Sequence, residues 1–195
     1  NLLQAVVALD MACYSDLVSI ADVAAVVGHQ SSWTGVPQAR EALALGDENA
    51  WSPREVTMRL SWMASVESAR PRSNMPVFDL GGRHLGTPDL IDPVAAVVAD
   101  YDGVVHLGRE QRRSDRNRDE VFADHGIEMV RWLSGDRRGD FLRRLHGAYE
   151  RAARRTGART WTVTPPPWWS STATVAARRA LTDAQRDRLL GYRIG

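Results

Sequence analysis

No lysine occurs anywhere in the 195 residues; all 25 basic residues are arginines. No lysine side chain can therefore orient a water or meet a phosphate. A GC-rich coding sequence also produces many arginines, so their abundance alone is weak evidence for phosphate binding. Cysteine is nearly absent as well. The single Cys13 excludes an internal disulfide and any cysteine-rich zinc site, which fits a reducing, cytoplasmic setting. Uninterrupted apolar runs are missing too: Asp10, Asp16 and Asp22 break up the apolar N-terminal region, so it reads neither as a signal peptide nor as a membrane span. His29, His84, His125 and His146 lack metal-ligand spacing with one another, and no internal repeat is found. The first residue is Asn1 rather than Met, as expected of a fragment or processed product of a longer chain.

What is present begins with a charge asymmetry. The formal net charge is +1, yet residues 1–108 carry six arginines against thirteen acids, or −7, while residues 109–195 carry nineteen against eleven, or +8. An acidic site beside a basic surface suits nucleic acid, and two solvated faces give the same numbers. The length suits one well-packed domain with a small appendage.

Along the chain, residues 2–13, 16–28 and 36–45 read as helices. Ser52, Pro53 and Glu55 form a strong helix start, with Ser52 as cap and Glu55 three residues after it. The texture then changes to short strand-like runs, MPVFDL, HLGTPDLID and AAVVADYDG, with Gly81 and Gly82 as a hairpin turn between the first two. A polar helix from Arg112 to His125 ends at Gly126. IEMVRW is a further strand, and Asp140 to Thr156 a basic helix with Phe141, Leu142, Leu145 and Tyr149 on one side. TWTVTPPPWWSSTATV reads as an extended arm, in which alternation over Arg159–Val163 would also allow an edge strand. A short helix framed by Thr182, Gln185 and Gly191 follows. The expected architecture is α/β, a small mixed sheet flanked by helices. Residues 1–50 form a helical N-terminal segment, 51–156 the core, and 157–195 a Pro/Trp-rich arm with its terminal helix.

The chemistry concentrates in VVADYDGVVH. Residues two apart on a strand share a face, so Asp100 and Asp102 project together and need a positive neighbour. Asp89, in GTPDL, interrupts the preceding strand, and hairpin pairing brings it and His106 to the same place. The simplest counter-charge for such a carboxylate cluster is a hard divalent cation, Mg²⁺ held by one or two acids plus waters. That ion activates water and neutralises charge on a phosphate.

TPDLID, ADYDGVVH, SDRNRDEVFADHG and IEMVRW follow one another in an order and spacing that resemble the PD-(D/E)XK nuclease superfamily. The likeness is to the very-short-patch-repair-like endonuclease domains of bacterial, notably actinobacterial, proteins of unknown function. It covers residues 76–133, and Ser52-Pro53-Arg54-Glu55 extends it back to about residue 36. Such domains often stand behind a winged helix of the abortive-infection antitoxin kind, which here would lie upstream of Asn1. The resemblance implies a restriction-endonuclease-like fold and a Mg²⁺- or Mn²⁺-dependent deoxyribonuclease. Asp89 and Asp100 would be metal ligands, supported by Glu55 from its helix, with Asp102 and His106 positioning the water. Asp115 and Arg118 match the helix pair, which is otherwise a surface ion pair, and Arg131 matches the strand arginine. Aspartate stands at position 100 where the family has glutamate, and Asp102 occupies the superfamily's lysine position. Arg112, Arg116, Arg131, Arg143 and Arg144 are the candidate DNA contacts. Trp161, Trp168 and Trp169 would stack on bases or pack the arm.

The function expected is DNA phosphodiester hydrolysis giving a 3′-hydroxyl and a 5′-phosphate, in repair, restriction or phage defence, or a toxin–antitoxin module. A duplex cutter of this kind commonly acts as a homodimer or with a partner protein. The rival is a non-catalytic nuclease-fold module of a regulator or antitoxin that binds DNA or a partner.

Overall fold

The computed structural model describes residues 1–30, 32–103 and 118–191. The chain divides into two compact units: Asn1–Val56 with Trp169–Gly195, and Thr57–Trp168. Among the described residues, no helix is long and apolar enough to cross a membrane.

The first unit is helical: α1 (Leu2–Tyr14), α2 (Ile20–His29), α3 (Val36–Leu45), the start of α4 (Pro53–Ser65), α7 (Val175–Arg179) and α8 (Asp183–Leu190). Except at α3, where Gly35 makes no side-chain cap, each start satisfies amides that the helix leaves unpaired. Asn1 with Gln4, Ser19 with Asp22, and Thr182 with Gln185 form reciprocal capping boxes. Glu48 caps two helices at once, accepting from the Ile20 amide at 2.8 Å and the Val175 amide at 2.7 Å. Leu9, Cys13 and Val175 form the buried centre of this unit. Burial, aided by Glu48 and Asp10, pushes the Cys13 thiol up to about 11, so at neutral pH it is an inert small apolar group. Arg178 is fully buried. Its guanidinium donates to Asp16 Oδ1 at 2.6 Å and to the carbonyls of Cys13 at 2.6 Å and Thr172 at 2.8 Å, so charge and donors are met together.

The second unit is α/β. Its strands are β1 (Arg72–Ser73), β2 (Val77–Asp79), β3 (His84–Gly86), β4 (Leu90–Asp92), β5 (Val97–Asp102), β6 (Glu128–Leu133) and β7 (Trp161–Thr162). Its helices are the rest of α4, α5, described over residues 118–124, and α6 (Arg138–Ala153). A mixed four-stranded sheet runs β1-β4-β5-β6, with only β5 and β6 parallel, and a small antiparallel sheet runs β3-β2-β7. The run HLGTPDLID is two strands rather than one. β3 pairs with β2, while β4 pairs with β1 and β5 in the other sheet. Pro88 between them has no amide to donate to a ladder. The edge strand allowed by the Arg159–Val163 alternation forms as β7, paired with Phe78 and Asp79.

Strand alternation sorts the core. Val97, Ala99 and Tyr101 face Met58 and Trp62 of α4 and Phe141, Leu145 and Ala148 of α6. Val98, on the other face, packs with Ile91, Phe122, Ile127, Leu85 and Trp161. At about 25 cal/mol per Å² of apolar surface, these two layers supply most of the unit's stability. One polar chain is threaded through the first layer: Trp62 Nε1 donates to the Tyr149 hydroxyl at 2.9 Å, which donates to Asp92 Oδ2 at 2.6 Å. The other Asp92 oxygen caps the β4–β5 turn through the amides of Val94 and Ala95.

Candidate active site

Asp100 and Asp102 lie on the Val98 face of β5, toward the strand's carboxyl end. In open sheets with parallel strands that end is the usual place for a ligand site. The β4–β5 register pairs Leu90 with Ala99, so Asp89 and Asp100 fall opposite one another as the next pair outward. They tie the two strands together with side chains. The Asp89 amide donates to Asp100 Oδ1 at 3.0 Å, and the Tyr101 amide donates to Asp89 Oδ2 at 2.7 Å. The Asp89 carbonyl accepts from the Asn74 amide at 2.9 Å, which extends the pairing toward β1. Both carboxylates are thus held by backbone on rigid strands, the condition for a precise site.

The positive neighbours that the strand pattern demands are arginines. Arg118, at the start of the described part of α5, donates to Asp100 Oδ2 at 2.5 Å. Arg131 is the parallel register partner of Asp100. Its Nη2 donates to Asp119 Oδ2 at 2.6 Å and its Nη1 lies 3.9 Å from Asp102 Oδ2. Asp100 is only 5 % exposed. Burial pushes its carboxyl above the ordinary value, against the pull of the Arg118 guanidinium, the Asp89 amide and Arg131. Burial alone would lower Arg131, but Asp119, Asp100 and Asp102 together hold it above its ordinary value. Asp119 Oδ1 is buried and has no hydrogen-bond partner among the described residues.

The charge inventory is the informative part. Four carboxylates, Asp89, Asp100, Asp102 and Asp119, gather around two guanidiniums, Arg118 and Arg131. Burial of Asp100 favours its protonated form, and the neighbouring guanidiniums oppose this. The donors are hard carboxylate oxygens on fixed strands, the kind Mg²⁺ takes one or two at a time with waters completing its shell. Among the described residues no group of three His, Cys, Asp or Glu side chains is poised to hold a metal. Both Asp100 oxygens and Asp89 Oδ2 already accept from the Asp89 amide, Arg118 and the Tyr101 amide, so a cation on this pair would share those oxygens.

Glu55 belongs to the first unit, where its side chain accepts from the Trp51 amide at 2.8 Å while its own amide donates to Ser52 Oγ at 3.2 Å. That is the helix-start role open to it from the sequence. His106, Arg112, Asp115 and Arg116 lie outside the described residues. Arg118 forms an ion pair with Asp100 across the fold. On α6, Arg143 pairs with Asp140, and Arg144 with Asp136 and the Arg131 carbonyl. Sequence reasoning missed Asp119 altogether, and missed the reach of Arg118 to Asp100. The available signal was electroneutrality: an aspartate deep in a strand requires a cation, and α5 is the polar helix next in line.

The chain matches no protein-family model, no curated protein and no solved structure.

Proposed function

We propose that the chain contains a metal-dependent DNA endonuclease domain hydrolysing phosphodiester bonds, with Asp89 and Asp100 as the carboxylates that hold Mg²⁺ or Mn²⁺. The observation that carries this reading is the pair itself: Asp100 on β5 and Asp89 immediately before β4, each carboxylate accepting a backbone amide from the other's strand segment. The motif order from TPDLID to IEMVRW supports the same reading. Bound there, a divalent cation would activate water and stabilise charge on the phosphate. The chain's own residues do the rest. Asp89 and Asp100 fix the site on the strand ends. Asp102 and His106 orient the attacking water and take its proton. Arg131, pinned by Asp119, braces the acids, and Arg118 exchanges Asp100 for the substrate phosphate, since guanidinium serves both anions.

One observation favours a second reading. Arg118 already satisfies Asp100 Oδ2, as a nuclease-fold module that only binds DNA or a partner would require. Supercoiled, nicked and mismatched DNA, each with Mg²⁺ or Mn²⁺, separates the two. The nuclease reading expects cleavage that needs the divalent ion and falls to background in Asp89→Ala. DNA binding without cleavage of any of these substrates would refute it and leave the binding module.

A further inference from the structure

The second unit also holds a cavity of about 410 Å³ at the opposite end of its sheet. Its walls are the β4–β5 turn at Val94–Ala96, the turn at His125–Gly126 before β6, the end of α6, and the stretch from Gly157 into β7. The acids sit at the carboxyl ends of the parallel strands and this cavity at their amino ends, about 16 Å away by strand rise. Its volume falls within the roughly 300–1,000 Å³ typical of small-molecule sites.

The lining is cationic and fixed in place. Arg159 lies over the Trp161 ring at 4.3 Å and donates to the Val94 carbonyl at 3.2 Å. Among the described residues no carboxylate lies within ion-pair distance of it. Stacking on the indole holds its planar donors without neutralising them. Arg155 shares Glu128 with Arg151, both at 2.8 Å. Burial pushes the Glu128 carboxyl up, but the two guanidiniums outweigh it and keep the acid ionised. With Asp124, the one carboxylate among the lining residues, three guanidiniums stand against two acids. Gly126 takes a left-handed φ of 75° beside Arg155, and a Cβ there would be in ordinary contact with Arg155 Nη1 at 3.5 Å. His125 Nδ1 shares a hydrogen bond with Thr160 Oγ1 at 2.8 Å, which orients the ring and leaves Nε2 outside that bond. Donors thus come from three separate segments, an arrangement suited to a tetrahedral anion rather than a flat carboxylate.

We propose that this cavity is a binding site for a phosphate monoester, contacted by Arg155, Arg159 and His125. The inference does not rest on nuclease activity. Two sources share the chemistry: a free mononucleotide-sized phosphate ester, and the phosphorylated end of a nucleic acid. The test titrates the full chain with inorganic phosphate, 5′-AMP, a 5′-phosphorylated oligonucleotide and the same oligonucleotide with a 5′-hydroxyl, by calorimetry and NMR. Saturable binding of phosphate-bearing probes is expected, roughly tenfold or more weaker in Arg159→Gln and in Arg155→Gln. Wild-type resonances of the Trp161 indole and the His125 ring should shift during titration, a readout that needs no variant to fold. Binding by the phosphorylated oligonucleotide and not by 5′-AMP supports the site and names nucleic-acid ends as its source. Asp89→Asn should bind these probes as the wild type does, so loss of cleavage and loss of this site are separable. The proposal fails if no phosphate probe saturates, if the shifts fall elsewhere, or if both variants fold and bind undiminished.

Discussion

Asp100 is expensive where it stands, and Arg118 is what makes it tolerable. For an acid whose pKa is raised on folding, the native protein binds more protons than the unfolded chain between the two pKa values. Stability therefore falls as pH climbs from the ordinary 3.8 through the raised value. Replacing Arg118 leaves the buried Asp100, whenever it is ionised, without its closest counter-charge. Arg118→Leu should cost about 3 kcal/mol at neutral pH, the low end for a broken buried pair because the arginine is partly exposed. The loss should shrink as pH falls, because a protonated Asp100 needs no cation. Urea unfolding at neutral and at lower pH measures this, and adding Asp100→Asn should restore most of the loss. An equal cost at both pH values would refute the ion-pair account. The sequence made Asp89, Asp100 and Asp102 legible because strand periodicity and a hairpin are local patterns. It could not pair Arg118 with Asp100, because that contact depends on where a helix lands on a sheet face.

At the scale of elements, the approach of α5 to the small sheet depends on a missing side chain. A Cβ on Gly86 of β3 would meet the Phe122 ring at 3.0 Å and the aliphatic part of Arg118 at 3.1 Å. Gly86→Ala should therefore push α5 outward and destabilise the chain by about 1–3 kcal/mol, as overpacking does. Gly28 in α2 has nothing within 4 Å of its Cβ position, so Gly28→Ala should be neutral or stabilise by up to about 1 kcal/mol. Chemical denaturation of the two variants makes the comparison. The elements were largely readable where chemistry is local. Gly81-Gly82 turns the β2–β3 hairpin with Gly82 at φ 87°, and Thr182 and Gly126 bound helices as their chemistry suggests, whereas the helix expected over 16–28 begins only at Ile20, capped by Ser19. The split of HLGTPDLID between two sheets was not readable. Both halves have strand character, and only tertiary pairing assigns them to different partners.

At the scale of the whole molecule, the first unit is assembled from both regions flanking the second. Arg178 carries much of that closure, because its buried guanidinium joins residues 165 positions apart at Cys13 and 162 apart at Asp16. Arg178→Met should cost about 3 kcal/mol or more by leaving Asp16 without its buried partner. It should also open residues 169–191 to limited proteolysis before the β5–β6 region is cut. No local pattern in that stretch points to Cys13 or Asp16, so this closure could not be read from the sequence. Its consequence falls on synthesis. During synthesis α1 to α3 emerge before the sheet unit, yet the Val175 and Arg178 that complete their core arrive more than a hundred residues later. The intervening sheet unit has all its own strands in hand before then and can fold while the early helices wait, leaving Leu9 and Cys13 without the cover of Val175 until translation reaches α7.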